Sequence, residues 1–191
     1  NNPMRTLDAF WQGQMQSKVW LIDNLSLIAN QRIRNKLLRP QFTVDIHGGW
    51  VGVLSSLIFQ SDLPVSKIQS IDIDPLCEHV ARLMNKKEEM EGRFKAITAD
   101  MCSIRSDADV IINTSCEHIT QFEYDNWWND LVDSSLIVLQ SNDYDIPEHV
   151  RTSKSLDEFV EQSKIKVLWK GQMKLPLYTC LLYTSPSPRD V

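Results

Sequence analysis

Residues Val44–Ser56 read VDIHGGWVGVLSS. The apolar run Phe42 to Ile46 has the pattern of a short buried strand, and it leads directly into glycines. Gly48, Gly49 and Gly52 let the backbone turn tightly and let a ligand approach it closely. The stretch from Trp50 to Gln60 then reads as a helix whose N-terminal amides point at that ligand. A strand, a glycine loop and a helix in this order suit a nucleotide-like cofactor.

Outward from this unit, strands and helices alternate. Strands are predicted at Ile68–Ile73, Phe94–Thr98, Asp109–Ile112 and Ser135–Gln140. Helices are predicted at Pro75–Asn85, Phe122–Val132 and Ser155–Ser163, the last opened by Ser155 with Glu158 at capping-box spacing. Lys164–Trp169 and Lys174–Tyr178 read as late strands, with a hairpin around Gly171. Upstream, Leu7 to Arg39 is helical by its apolar spacing, with Gly13 expected to break it and Pro40 to end it. The expected fold class is α/β: a Rossmann-like, mostly parallel sheet with helices on both faces, antiparallel strands cut short at the C-terminal end, and an N-terminal helical extension. Residues 1–40 form that extension and 41–179 a single domain.

Two segments are set apart. Cys180–Asp190, CLLYTSPSPRD, resembles the translation of a sequencing-library adaptor, so residues 180–191 are expected to be a non-native tail and carry no weight in the fold reading. The chain opens Asn1-Asn2-Pro3 and is expected to be a fragment at both ends. Within residues 1–179 the cysteines are Cys77, Cys102 and Cys116, without a CxxC pair. That pattern fits reduced cytosolic thiols and carries no zinc signature, so no metal is expected.

The chain has 191 residues, of which 42% are hydrophobic and 24% charged, and a net charge of −5. These values exclude a disordered chain or a disulfide scaffold, and argue against a broad basic surface for duplex nucleic acid. An apolar run of about 20 residues, as a membrane span requires, is absent, and the expected setting is cytoplasmic.

The acidic residues narrow the cofactor. Asp72, in IDIDP, lies 20 residues beyond Gly52, close to the offset at which a carboxylate meets a ribose hydroxyl. Asp74 precedes Pro75 and reads as a helix N-cap. Asp100 follows the third strand, where a carboxylate can accept from an adenine amino group. No Walker loop is present, and GGxxG is not the GxGxxG fingerprint of dinucleotide sites. Asp45, at the tip of the first strand, repels a pyrophosphate and attracts an ammonium. Adenine, ribose and an amino-acid tail together describe S-adenosylmethionine.

At these residues the chain resembles the class I S-adenosylmethionine-dependent methyltransferases, over about Phe42 to Asn142 and less clearly to Tyr178. The resemblance implies methyl transfer from that cofactor. It implies that Asp45, Gly48, Gly49 and Gly52 hold the methionine end, Asp72 the ribose, and Asp100 with Met101 the adenine. His47 stands where the family has its first glycine, and the loop is one residue longer, so Trp50 is expected to shape the close contact instead.

The fourth strand opens into INTSCEHIT, Ile112 to Thr120, at the end of the sheet where ligands bind. Here Glu117 or His118 can take a proton from an acceptor, and Asn113 can orient an acceptor amine. Cys116 is a weaker candidate, and a plain capped helix start at Ser115 or Thr120 is the structural alternative. The loop lacks the Asn/Asp-Pro-Pro-aromatic motif of base-modifying N-methyltransferases. Trp127 and Trp128 read as core, Trp11 and Trp20 as lid or packing, and Lys86–Glu89 as a solvated helix end. A small-molecule or protein acceptor is favoured over nucleic acid. The rival readings are another S-adenosylmethionine-using transferase, a non-catalytic binding module suggested by His47, and a nicotinamide oxidoreductase disfavoured by Asp45.

Overall fold

The structure is a computed structural model describing residues 3–131, 135–144, 147–164, 166, 168–175 and 178–185, with residues 3–10 as backbone alone. The described residues form seven strands: β1 (Phe42–His47), β2 (Val65–Asp72), β3 (Phe94–Thr98), β4 (Val110–Asn113), β5 (Leu136–Asn142), β6 (Trp169–Lys174) and β7 (Thr179–Ser185). Their helices are α1 (Pro3–Arg34), α2 (Val53–Gln60), α3 (Pro75–Met84), α4 (Lys86–Met90), α5 (Gln121–Asn129) and α6 (Leu156–Ser163), with one 3₁₀ turn at Cys116–His118.

The strands make a single sheet in the order β3-β2-β1-β4-β5-β7-β6. β1 to β5 run parallel, and β7 runs antiparallel to both β5 and β6. The central strands are apolar on both faces, as strands covered by helices on either side must be. Val110, Ile112, Leu136 and Val138 join Leu21 and Leu25 of α1 and Leu54 and Ile58 of α2. Ile111, Ile137 and Leu139 point the other way, onto Tyr124 and Trp127 of α5 and Phe159 of α6. This period-two split is the Rossmann-like arrangement expected from the strand–helix alternation. Strand order reverses between β1 and β4, which places a crevice at their carboxyl ends.

Several boundaries differ from expectation, each for a local reason. Gly13 does not break α1; a Cβ there would lie 3.1 Å from the Tyr178 hydroxyl, so the missing side chain admits that ring. The helix ends at Arg34 rather than Arg39. Lys36 turns left-handed (φ 58°), and the Leu37 amide reaches back to the Arg32 carbonyl, a six-residue closure typical of helix C-termini. Lys164 caps α6 in the left-handed region instead of opening a strand. Gly171 lies within β6, paired with Leu182, and the Trp169 indole occupies the space where a Cβ would stand. The second late strand is Thr179–Ser185, so residues 180–185, set aside in the sequence reading, form most of β7. Leu182 there packs on one face of the sheet, Leu181 and Tyr183 on the other. Val132, Ile165, Val167, Pro176 and Leu177 of the expected elements, and residues 186–191 of the tail, lie outside the described residues.

His47 ends β1 almost fully buried, and its Nδ1 accepts the indole N–H of Trp127 at 2.7 Å. Burial lowers its pKa to about 4 from an ordinary 6.5. The imidazole is thus held neutral in the fold but takes a proton in the unfolded chain at mildly acid pH. Stability is full above pH 6.5 and falls as pH drops through 6.5 toward 4, by up to about 3 kcal/mol. Urea unfolding at about pH 7.5 and about pH 5 checks this: His47→Gln should shrink the difference between the two pH values, and an undiminished difference would assign it to other groups.

Candidate functional site

A cavity of about 560 Å³ opens at the carboxyl ends of the parallel strands. This is an ordinary size for a small-molecule site. Its wall follows the sheet from Ala99, Asp100 and Met101 after β3, through Ile71 and Asp72 of β2, to Gly48, Gly49 and Trp50 after β1. It continues through Thr114, Ser115, Glu117 and His118 after β4 to Gln140, Ser141 and Asn142 of β5. From β3 to β5 this spans four strand steps, about 19 Å.

The glycine loop is built by close approach. The amides of Gly48 and Gly49 both donate to the Ile71 carbonyl, at 2.8 and 3.0 Å. A Cβ on Gly48 (φ 74°) would sit 1.8 Å from the Ser115 hydroxyl, and one on Gly49 1.9 Å from that of Ser70. Trp50 takes the left-handed region (φ 50°), and its amide donates to Asp72 Oδ2 at 2.9 Å. Asp72 Oδ1 accepts the Asp74 amide. Asp72 thus braces the loop while lining the cavity, and each oxygen keeps a lone pair for a ligand. Asp74 caps α3 as expected, accepting the Leu76 amide ahead of Pro75.

Gly52 does something else. It lies outside the cavity wall, and a Cβ there would meet Asn85 and Ala81, so its smallness packs the loop against α3. Asp45 also lies outside the wall: it is buried and accepts the Ser106 hydroxyl, and burial raises its pKa. Asn113 is fully buried outside the wall, where its Oδ1 accepts the Ser115 amide and its Nδ2 faces the Met101 sulfur. Asp100 lines the cavity and accepts the Cys102 amide.

The turn after β4 is clamped from outside. The Arg151 guanidinium donates to the Cys116 carbonyl at 3.0 and 3.2 Å and to Gln121 Oε1 at 2.9 Å, and lies over the Tyr124 ring. Its own amide donates to the Glu117 carbonyl. Thr120 caps α5 in a reciprocal box with Glu123, fixing the other end of the turn. Glu117 and His118 are thereby held at the wall, with Glu117 Oε1 3.4 Å from His118 Nε2. Burial raises the Glu117 pKa, and Glu117 Oε2 has no hydrogen-bond partner among the described residues. Burial also pushes the Cys116 thiol up to about 12, so it is no thiolate nucleophile at neutral pH.

Sequence reasoning offers Trp11 and Trp20 of α1 as lid or packing but misses the polar residues of that helix. Gln14, Ser17 and Lys18, at helical spacings of three and four, face the cavity from above the glycine loop. Among the described residues Lys18 is the one Lys or Arg in the wall; its ammonium donates to Gln14 Oε1 and lies 5.9 Å from the Trp50 ring centre, and burial lowers its pKa to about 8. Trp11 stacks on Trp50 at 5.5 Å, in a lid-like position, whereas Trp20 packs edge-on against Trp169. Polar residues recur all along α1, so nothing in the sequence sets Gln14, Ser17 and Lys18 apart. Arg151, in a loop, is equally unmarked.

No protein-family model matches the chain, and neither does any curated protein. Solved structures do resemble it. The N-methyltransferase NodS from Bradyrhizobium japonicum WM9 is similar with a TM-score of 0.60 at 13% identity, over 86% of this chain and 96% of that one. The magnesium protoporphyrin IX methyltransferase ChlM from Synechocystis PCC 6803, with bound SAH, gives 0.60 at 14%, over 85% and 80%. An S-adenosylmethionine-dependent methyltransferase from Clostridium acetobutylicum ATCC 824 gives 0.58 at 10%, over 83% and 88%. The likeness is one of fold: a Rossmann-like methyltransferase fold.

Replacing Arg151 with Met keeps much of the side-chain bulk but strips the donors from the buried Cys116 carbonyl. Such a loss costs about 2–3 kcal/mol. Urea unfolding should register it; a change below about 0.5 kcal/mol would mean that the clamp contributes nothing.

Proposed function

We propose that the protein is an S-adenosylmethionine-dependent methyltransferase. The observation that carries this reading is the unbroken cavity along the carboxyl ends of β3, β2, β1, β4 and β5. Its wall contains Asp72, Asp100, Glu117 and Glu123 against one Lys. An acidic wall with a single cation suits a ligand carrying a positive sulfur, an ammonium and one carboxylate. When bound, this cofactor supplies a methyl group on a cationic sulfur, which leaves by in-line displacement to give S-adenosylhomocysteine.

The chain's own residues then divide the work along the cavity. Asp72 accepts from the ribose hydroxyls with the lone pairs that its backbone contacts leave free, and Asp100 with Met101 receives the adenine. Gly48 and Gly49 keep side chains out of the path of the sulfur-bearing tail. Lys18 pairs with the cofactor carboxylate. Trp11 on Trp50 narrows the opening and limits water, so that alignment rather than bond chemistry is the protein's main contribution. Glu117 and His118 face the end where the acceptor enters. Asp45, Gly52 and Asn113 shape the loops rather than touch the cofactor.

Isothermal titration of the purified chain with S-adenosylmethionine and S-adenosylhomocysteine tests the reading. Micromolar binding of both is expected, with Asp72→Ala weakening it at least about tenfold, or 1.4 kcal/mol. A folded chain that binds neither compound overturns it. Lys18→Met should weaken both ligands while leaving adenosine, which lacks the carboxylate, unaffected; equal loss for adenosine would remove Lys18 from the tail. Turnover should release S-adenosylhomocysteine, not methylthioadenosine.

A further inference from the structure

Three side chains converge at the β4–β5 end of the cavity from two separate segments. Glu117 and His118 come from the turn after β4, and His149 from the stretch after β5. One ligand atom from each lies within 4.8 Å of the other two, and Glu117 Oε1 to His118 Nε2 is 3.4 Å. The two imidazoles meet edge to face with centroids 4.8 Å apart.

The hydrogen bonds fix what each ring offers. His118 Nδ1 faces the Glu148 carbonyl at 3.1 Å, and His149 Nδ1 faces the Tyr144 carbonyl at 2.6 Å. A carbonyl only accepts, so both Nδ1 atoms carry the proton, and in the neutral rings both Nε2 atoms keep a lone pair. Donation of one ring N–H to a carbonyl while the other nitrogen is left free is the usual outer support of a metal-binding histidine. Glu117 is more than nine-tenths buried, its Oε2 is unpartnered, and no Lys or Arg among the described residues forms an ion pair with it. The Lys18 ammonium acts on Glu117 only from beyond ion-pair distance; a buried carboxylate without a directly paired charge is expensive, and a bound cation removes that cost.

We propose that Glu117, His118 and His149 bind one divalent transition-metal ion, zinc or iron(II), and that this ion holds an oxygen acceptor against the transferred methyl. Two imidazole nitrogens and one carboxylate with open positions are a recurrent ligand set for these ions. Ligands at about 2.1 Å from one ion lie about 3–3.5 Å apart, so the Glu117–His118 pair is already spaced for it and His149 needs to close by about 1 Å. Two of the three ligands line the cavity, so the ion sits in its wall.

The metal site stands on these side chains alone; its use in transfer rests on the methyltransferase reading. A hydroxyl bound to the ion loses its proton to water more readily. The freed oxygen pair forms the O–CH₃ bond while the S–CH₃ bond breaks with its pair staying on sulfur. The acceptor class is therefore a hydroxyl compound rather than an amine.

The full chain, stripped with a chelator and titrated with cobalt(II), tests the site by ligand-field absorption. One equivalent should bind and be displaced by zinc. His149→Ala and Glu117→Gln should each lower affinity about a hundredfold or more, while the exposed His79→Ala changes nothing. Far-UV circular dichroism and S-adenosylmethionine affinity, read in parallel, separate lost ligands from lost fold. A folded chain that binds S-adenosylmethionine but not cobalt(II), or binds cobalt(II) equally in all variants, overturns the site. Cobalt(II) binding without S-adenosylmethionine binding keeps the site and removes its role in transfer. Acetohydroxamate, a simple oxygen ligand, should shift the cobalt bands; unshifted bands would overturn the oxygen-acceptor half.

Discussion

One carbonyl oxygen, that of Ile71, sets the shape of the cavity. It takes the amides of both Gly48 and Gly49 and so draws the end of β1 across the end of β2. Two hydrogen bonds to one acceptor require the loop to lie close, and that closeness excludes any Cβ at either glycine, because the Ser115 and Ser70 hydroxyls fill the space. Asp72 continues the same constraint one residue on by holding the Trp50 amide. With the loop fixed, α2 begins where it must and the cavity floor is formed before any ligand arrives. Such prior ordering reduces the entropy that binding would otherwise cost.

The β4–β5 end of the cavity is organised by a different agent. The turn after β4 is short, polar and close to Glu148 and Tyr144, whose carbonyls receive His118 and His149. Arg151 joins the two segments by a main-chain bond to Glu117 and by guanidinium bonds to Cys116. A guanidinium in this position satisfies a main-chain carbonyl that would otherwise be buried without a donor. The two ends of the cavity are therefore rigid for unrelated reasons: backbone sharing at one end, and a side-chain clamp at the other.

Much of this was legible in the residues. Period-two apolar runs separated by helical ones lead to a parallel sheet, and the glycine loop with Asp72 and Asp100 marks the strand ends that bear the cavity. Asp74 before Pro75 and Thr120 before Glu123 behave as local capping rules require. What the sequence did not show was long-range. Asp45 has the right position along the strand for an ammonium partner, but its carboxylate finds Ser106, 61 residues on. Gly52 belongs to the glycine pattern, yet its smallness serves α3. Lys18, Arg151 and His149 lie far in sequence from the motifs they join, and only the packing of α1 and of the loop after β5 brings them in. Local chemistry is written in short windows; the partners of a buried polar group are not.

The position of β7 has a consequence for how the chain is made. Synthesis is vectorial, and β6 leaves the ribosome before β7, yet among the described strands β6 pairs with the rest of the sheet only through β7. Until residues 179–185 emerge, β5 presents an unpaired edge and β6 has no partner strand. The nascent chain therefore waits with an open, sticky margin. Its last described strand enters like a wedge between two elements already present, so the sheet closes from within rather than by addition at its rim.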